Sequence, residues 1–376
     1  MLRPRDTEDL REIVAAAVEK GTRLELRGGG TRAGFGAPRD VETLSLAALS
    51  GVIDYDPAEL VLSLRPATPL AEVQALVASE GQMLAFEPWG DAASTIGGVV
   101  AAGVAGSRRI TAGSARDHLL GFSAISGRGE RFVAGAKVVK NVTGYDLPKL
   151  MAGSWGRLGA MTELTLKVLP APREAVTMVA DGLSAAAAHA AMAAALGSKA
   201  EVSAAAHLAR GLTLLRVAGF APSVAARCAA LPGLLAKHCE LRRVDDADSL
   251  WAEAMTAVGL KGAVRWQVHL PPRHAPELVE SLASLEIDWA MDWGGARVWI
   301  ALDNEGEDVR AQAARLGGEA MLVSAPAAMR ARVPALPPRA AGLIALEQRV
   351  RRAFDPAGVF STGRFKEDMD ADQLSA

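Results

Sequence analysis

Residues 24–38 run Leu24-Glu25-Leu26-Arg27-Gly28-Gly29-Gly30-Thr31-Arg32-Ala33-Gly34-Phe35-Gly36-Ala37-Pro38. A short strand is predicted over residues 23–27, and Gly28-x-Gly30-x-x-Ala33 behind it formally satisfies the dinucleotide fingerprint GxGxxG/A. That fingerprint works only where it opens a helix, whose N-terminus then holds a pyrophosphate. Here Gly34, Gly36 and Pro38 leave a helix no clean start, and a helical pattern precedes the strand where a Rossmann unit begins with the strand itself. The expected fold is therefore not a Rossmann fold. The loop alone leaves two readings open: successive small residues whose backbone amides converge on an anion, or a plain tight turn.

Outward from this loop, 376 residues predict two to three domains at about 150 each. Basic and acidic residues nearly balance, 41 against 43, which disfavours a nucleic-acid binder or an acidic tail. Glycine is in excess, 37 of 376 against the ~7% of ordinary usage. Only Cys228 and Cys239 occur, with no CxxC, so this chain's thiolates build neither an iron–sulfur cluster nor a structural zinc site. So few cysteines also fit a reducing cytoplasm. Asp6, Glu8 and Asp9 interrupt the N-terminus where a signal peptide needs an apolar core. The longest uncharged stretches, residues 92–107 and 182–198, fall short of the ~20 apolar residues that span a bilayer. No transmembrane helix is expected, and peripheral membrane association through a partner stays open.

Helical spacing over residues 7–20 predicts a helix with Thr7 at its N-cap and Gly21 as its stop. Strands follow at 43–46 and 60–64, a helix at 69–80, a hairpin at 122–125 and 130–133, a short helix and loop at 148–158, and a strand at 162–168. Near residue 173 the glycine density drops and the pattern changes. Helices near 183–196, 222–237, 247–257, 274–284 and 306–316 alternate with strands near 175–180, 212–217, 263–269, 287–292 and 297–302, as in a smaller α/β unit covered by helices on one face. A last helix occupies 343–354. The expected domains are 1–172, 173–342 and a C-terminal helix and tail at 343–376. No internal repeat is apparent at 20–50 residues.

A second glycine-rich run, Thr95-Ile96-Gly97-Gly98-Val99-Val100-Ala101-Ala102-Gly103-Val104-Ala105-Gly106, excludes bulky side chains, as where a backbone wraps an extended ligand. Close packing of two helices is the competing reading. A third segment comprises Lys140-Asn141-Val142-Thr143-Gly144-Tyr145-Asp146-Leu147-Pro148-Lys149-Leu150 and then Gly153-Ser154-Trp155-Gly156-Arg157-Leu158-Gly159-Ala160-Met161-Thr162-Glu163. With these three segments the chain resembles the flavoproteins of the vanillyl-alcohol-oxidase type, which carry a PCMH-type FAD-binding domain, and in particular the FAD-binding subunits of bacterial glycolate oxidases. Arg116-Asp117-His118-Leu119-Leu120-Gly121 adds to the likeness. It is strong over residues 23–172, weak over 173–340, and returns from Phe354-Asp355-Pro356 to Gly363-Arg364.

The resemblance implies an α+β fold: a two-part, non-Rossmann FAD-binding domain of the PCMH type, then a smaller α/β, ferredoxin-like cap, with the C-terminal segment returning to the FAD domain. It implies FAD as cofactor. Carried over by position, Arg27, Gly28, Gly29, Gly30, Thr31, Thr95, Ile96, Gly97, Gly98, Ala101, Ala105, Gly106, Tyr145, Gly153, Ser154, Gly156, Leu158, Gly159 and Glu163 are the cofactor-binding candidates. Many relatives attach FAD through a histidine near the glycine segments; residues 86–116 contain none, so the flavin is expected to be held non-covalently. Ser361-Thr362-Gly363-Arg364 stands where relatives commonly have Asn.

Oxidation of a 2-hydroxy acid needs a base for the hydroxyl proton and a cation for the carboxylate. Catalytic relatives often use a metal held in a His-x-Gly-Asp-Gly-like segment, which none of the six histidines here occupies; no metal site is expected. His118 reads as a packed residue, and His269 and His274 as surface groups. Arg108, Arg109, Arg265 and Arg297 are carboxylate candidates, though a solvated or phosphate-facing cation is the favoured reading of each. Trp289 and Trp293 are predicted on one side of a strand. The catalytic residues stay unassigned. By resemblance the function is that of the FAD-binding subunit of a multi-subunit glycolate oxidase, with a second FAD-containing subunit and an iron–sulfur subunit as partners, in the cytoplasm, with a place at the inner membrane face through them left open. Two other readings stay open: a self-sufficient FAD-linked D-lactate or alditol oxidase, and a non-catalytic FAD-holding scaffold.

Overall fold

A computed structural model describes residues 1–136, 145–304 and 306–366; residues 140–144 of the third segment lie outside them. The chain forms two compact units. Met1–Ala105, Gly113–Pro170 and Pro338–Ala376 make the first, and Gly106–Ala112 with Ala171–Pro337 the second.

In the first unit the helix Thr7–Lys20 is capped by Asp6, not Thr7: the Asp6 carboxylate accepts the Asp9 amide at 2.9 Å, and Gly21 closes the helix in the left-handed region at φ 64°. Leu10, Val14 and Ala17, on one helical face, are buried with Leu24 and Leu44 of the parallel strand pair Leu24–Arg27 and Glu42–Ser45. A separate five-stranded antiparallel sheet runs Val52–Asp56, Val61–Leu64, Ala160–Lys167, Leu119–Ile125, Arg131–Gly135 from edge to edge. Val61–Leu64 is buried at every position, because it lies inside the sheet with both faces covered. Its apolar partners come from the helices Leu70–Ser79 and Ile96–Ala102. After the helix Ala341–Phe354, the buried carboxylate of Asp355 accepts the Val359 and Phe360 amides at 2.9 and 2.7 Å, and the Val359 carbonyl accepts the Leu24 amide. The C-terminal segment thereby joins the first strand.

The second unit is one eight-stranded sheet, antiparallel throughout, in the order Arg242–Val244, Glu174–Ala180, Leu212–Gly219, Ala204–Leu208, Asp288–Asp292, Arg297–Leu302, Val264–His269, Glu319–Ser324. It consists of two βαββαβ motifs of ferredoxin-like type, residues 174–244 and 264–324, joined edge to edge where His207 pairs with Met291. Each motif exceeds the 20–50-residue window in which no repeat was expected. Helices Ala185–Leu196, Ala221–Leu235, Ala275–Ser281 and Glu307–Arg315 cover one face, over Val176, Leu215, Val268, Val298 and Ile300. Three strands escape sequence reading: Ala204–Leu208 is mostly alanine, Arg242–Val244 is short and charged, and Glu319–Ser324 is an edge. Among the described residues no helix is long and apolar enough to cross a membrane.

Candidate functional site

No helix follows the first glycine loop. The chain leaves the strand at Arg27 and makes turns closed by Ala33 N–H to the Gly30 carbonyl and Phe35 N–H to the Arg32 carbonyl, with Gly30 in the left-handed region at φ 75°. The helix in this part of the unit begins instead in the second glycine run, at Ile96, with Thr95 as N-cap accepting the Gly98 amide. The two segments interlock. A Cβ on Gly29 would lie 1.6 Å from the Ala93 carbonyl oxygen, one on Gly28 2.4 Å from the Thr95 hydroxyl, and one on Gly97 2.6 Å from Pro66. At these positions glycine is demanded by one protein segment against another. Gly98 is different: a Cβ there meets only the Thr95 hydroxyl, at 3.3 Å.

Between these segments and Trp155-Gly156 lies an open cleft. Arg27, Gly28, Gly29, Gly30, Thr31, Thr95, Gly97, Gly98, Ala101, Gly156 and Gly159 line it. The Arg27 Nε is buried and has no hydrogen-bond partner among the described residues. Arg32 also lines the cleft, its guanidinium 4.8 Å from the Trp89 ring centre; burial holds its pKa below the usual guanidinium value, and Asp91 offsets part of that. Glu25 holds two further cations: Arg39 reaches its carboxylate at 2.5 and 2.9 Å and Arg364 at 2.7 Å. Burial alone would raise the Glu25 pKa, but the two arginines hold it below the ordinary range. At the other end, Trp155, strained at φ 58°, stacks on Phe35 with ring centres 4.3 Å apart. An amide-rich loop, two guanidiniums and flanking rings suit an extended ligand with a charged phosphate centre and aromatic ends.

Other candidates stand apart from this lining. Gly153, Ser154 and Leu158 border a second cavity with Leu346 and Val350 of the helix Ala341–Phe354. Ile96 is fully buried core. The Ala105 carbonyl accepts the Trp89 indole N–H at 3.3 Å. Gly106 belongs to the second unit, where its carbonyl accepts the Trp293 indole N–H at 2.9 Å. Glu163 sits in a central strand opposite Ser123. The Tyr145 side chain is 93% exposed. Sequence reading missed Arg32, Ser94, Trp89, Trp155, Met161 and Arg364 as cleft residues; Arg32 and Trp89 had a signal, each standing in or just before a glycine run. His118 is buried beside Phe86, as a packed residue. The tryptophan expectation needs correction: Trp289 packs on the helix-covered core, whereas Trp293 lies past the strand end in a left-handed turn.

An FAD binding domain model matches residues 1–135. The glycolate oxidase subunit GlcE of Escherichia coli (strain K12) is 34% identical over 376 residues, covering 98% of this chain and 100% of that protein. A D-lactate dehydrogenase of Anaerostipes hadrus is 33% identical, but over only 42% of this chain and 32% of that protein. Among solved structures, an alkyldihydroxyacetonephosphate synthase superposes with a TM-score of 0.69 at 15% identity, covering 94% of this chain and 75% of that one. At that identity the likeness is one of fold.

Proposed function

The chain belongs to the family of FAD-linked oxidoreductases that includes the glycolate oxidase subunit GlcE, and from that premise we propose that it is the FAD-binding subunit of a multi-subunit glycolate oxidase, oxidising glycolate to glyoxylate and passing the electrons to partner subunits. The observation that carries this reading is the cleft. Its buried Arg27 Nε lacks a partner among the described residues, a desolvated Arg32 stands in the same lining, and the glycine loop between them presents backbone amides. A pyrophosphate meets all three needs. Arg27, Gly28, Gly29, Gly30, Thr31 and Arg32 would hold it, Thr95, Gly97 and Gly98 would approach the remainder of the cofactor, and the binding would be non-covalent. Bound there, FAD supplies the two-electron acceptor that no side chain provides.

The partners in this proposal are a second FAD-containing subunit and an iron–sulfur subunit. Cys228 and Cys239 are both free thiols, too few to ligate a cluster, so electrons leave the flavin for an acceptor outside this chain. The complex would work in the cytoplasm, any contact with the inner membrane face being made by partners. The test is anaerobic addition of glycolate to the purified chain, alone and assembled, followed by visible absorption. Flavin absorption with bleaching in the assembled complex is expected. A colourless protein sinks the reading; bleaching by the isolated chain favours a self-sufficient oxidase, and a flavin never reduced in the complex favours a scaffold.

A further inference from the structure

The second unit holds a polar constellation on the sheet face opposite its four covering helices. Asp292, Arg297 and His269 stand on one rung of three adjacent strands, Asp292 in register with Arg297 and Arg297 with His269. Asp292 and Arg297 are fully buried and joined at 2.5 Å; Asp292 also accepts the Ser107 hydroxyl at 2.8 Å and the Trp293 amide at 2.7 Å. The charge of Arg297 is thus matched within the protein, and the pair forms a fixed base. On it sits Trp293, its ring centre 4.2 Å from the Arg297 guanidinium. Trp293, Gly294 and Gly295 all have positive φ, 56°, 65° and 104°. A tryptophan in that region is strained and persists only where its surroundings over-determine it. Here they do: the amide binds Asp292 and the indole N–H binds Gly106.

Two more groups lie against the same ring. The Arg109 guanidinium is 4.6 Å from its centre, and the His269 imidazole stacks on it at 5.2 Å and 24°. Unlike the buried base, both are exposed. Solvent reaches the His269 ring, yet burial first, and the Arg297 and Arg109 cations second, push its pKa down to about 4. At neutral pH the ring is therefore a neutral hydrogen-bond acceptor. Glu319 is its register neighbour on the edge strand, but the charges that bear on the ring are the two arginines. His269, expected as a surface group, is exposed, with one face of its ring against Trp293.

We propose that Arg109 and His269, both held against the Trp293 ring, form the subsite for a small 2-hydroxy acid, the guanidinium taking the carboxylate and the imidazole accepting the hydroxyl hydrogen. The substrate class rests on the function proposed above; the residues rest on the rung, the strained tryptophan and the two groups stacked on its ring. An Arg fork matches a carboxylate bidentately, and a neutral imidazole beside it meets the hydroxyl one carbon away.

The test uses the FAD-loaded complex with oxalate as a non-reacting probe, titrated calorimetrically, alongside glycolate kinetics and the flavin-to-protein ratio. Arg109→Ala is expected to weaken oxalate about tenfold or more, the loss of one charge-assisted pair, and to raise KM for glycolate with FAD content unchanged; Arg109→Lys recovers part of the affinity. His269→Gln is expected to lower kcat/KM for glycolate while oxalate still binds. Unchanged oxalate affinity in Arg109→Ala, or FAD lost in parallel, overturns the assignment of Arg109, and unchanged kcat/KM in His269→Gln overturns that of the imidazole. If wild-type complex neither binds oxalate nor is reduced by glycolate, the proposed function fails and this subsite with it.

Discussion

Arg27 ends a strand and begins a glycine loop, whose three glycines carry no side chain to pair with a guanidinium. Its Nε is buried with no partner among the described residues. Replacing it by Met keeps the stem and removes the donors, and a lost charge-assisted pair predicts FAD affinity lower by about tenfold or more. Fluorescence titration of the apoprotein with FAD checks this; equal affinity would mean that Arg27 faces no phosphate. The sequence flagged Arg27 by its place beside three glycines. It did not reveal why those glycines are needed: Gly28 and Gly29 are fixed by Thr95 and Ala93, some 65 residues away along the chain. A glycine required by a distant backbone and one required by a ligand are the same letter.

At the scale of elements, the run 95–106 had two readings, ligand approach and helix packing, and the structure combines them in different residues. Gly97, in the first turn of the seven-residue helix Ile96–Ala102, packs on Pro66, while its neighbour Gly98 lines the cleft, where an added Cβ would meet only the Thr95 hydroxyl, at 3.3 Å. Gly97→Ala places a Cβ 2.6 Å from Pro66 Cβ and 2.7 Å from its carbonyl oxygen, backbone that cannot swing aside. Overpacking of this kind costs about 1–3 kcal/mol. The variant should melt several degrees lower and retain less FAD, measured by thermal unfolding and by the ratio of flavin to protein absorbance, whereas Gly98→Ala, whose Cβ meets one side-chain hydroxyl rather than backbone, should melt closer to the wild type. The alternating helices and strands beyond residue 173 were legible because their periodicity is strong. The pairing was not, since strand order and register depend on contacts between segments far apart in the sequence.

For the whole molecule, the decisive link is Glu25, which holds Arg39 from the next loop and Arg364 from the far end of the chain. Glu25→Gln leaves two nearly buried guanidiniums without their counter-charge, and a broken buried pair predicts a loss of about 3 kcal/mol, read from denaturant unfolding. Because the folded-state pKa of Glu25 is depressed, its stabilisation is present above the ordinary glutamate value of about 4.3 and is lost as pH falls through the depressed one. The variant should therefore show a shallower loss of stability below that pH than the wild type. By itself the sequence determined the class of the molecule: a glycine loop that opens no helix, a glycine-rich first half, a patterned second half, and too few cysteines for a cluster. Those are local properties, set by backbone freedom and residue type. Only the tertiary structure decided that residues 25, 39 and 364 share one ion cluster, that Arg32 and Trp89 face the same cleft, and that Asp292, Arg297 and His269 form one rung beneath Trp293. Such meetings depend on strand order and register, and no local pattern along the chain encodes which distant strands become neighbours.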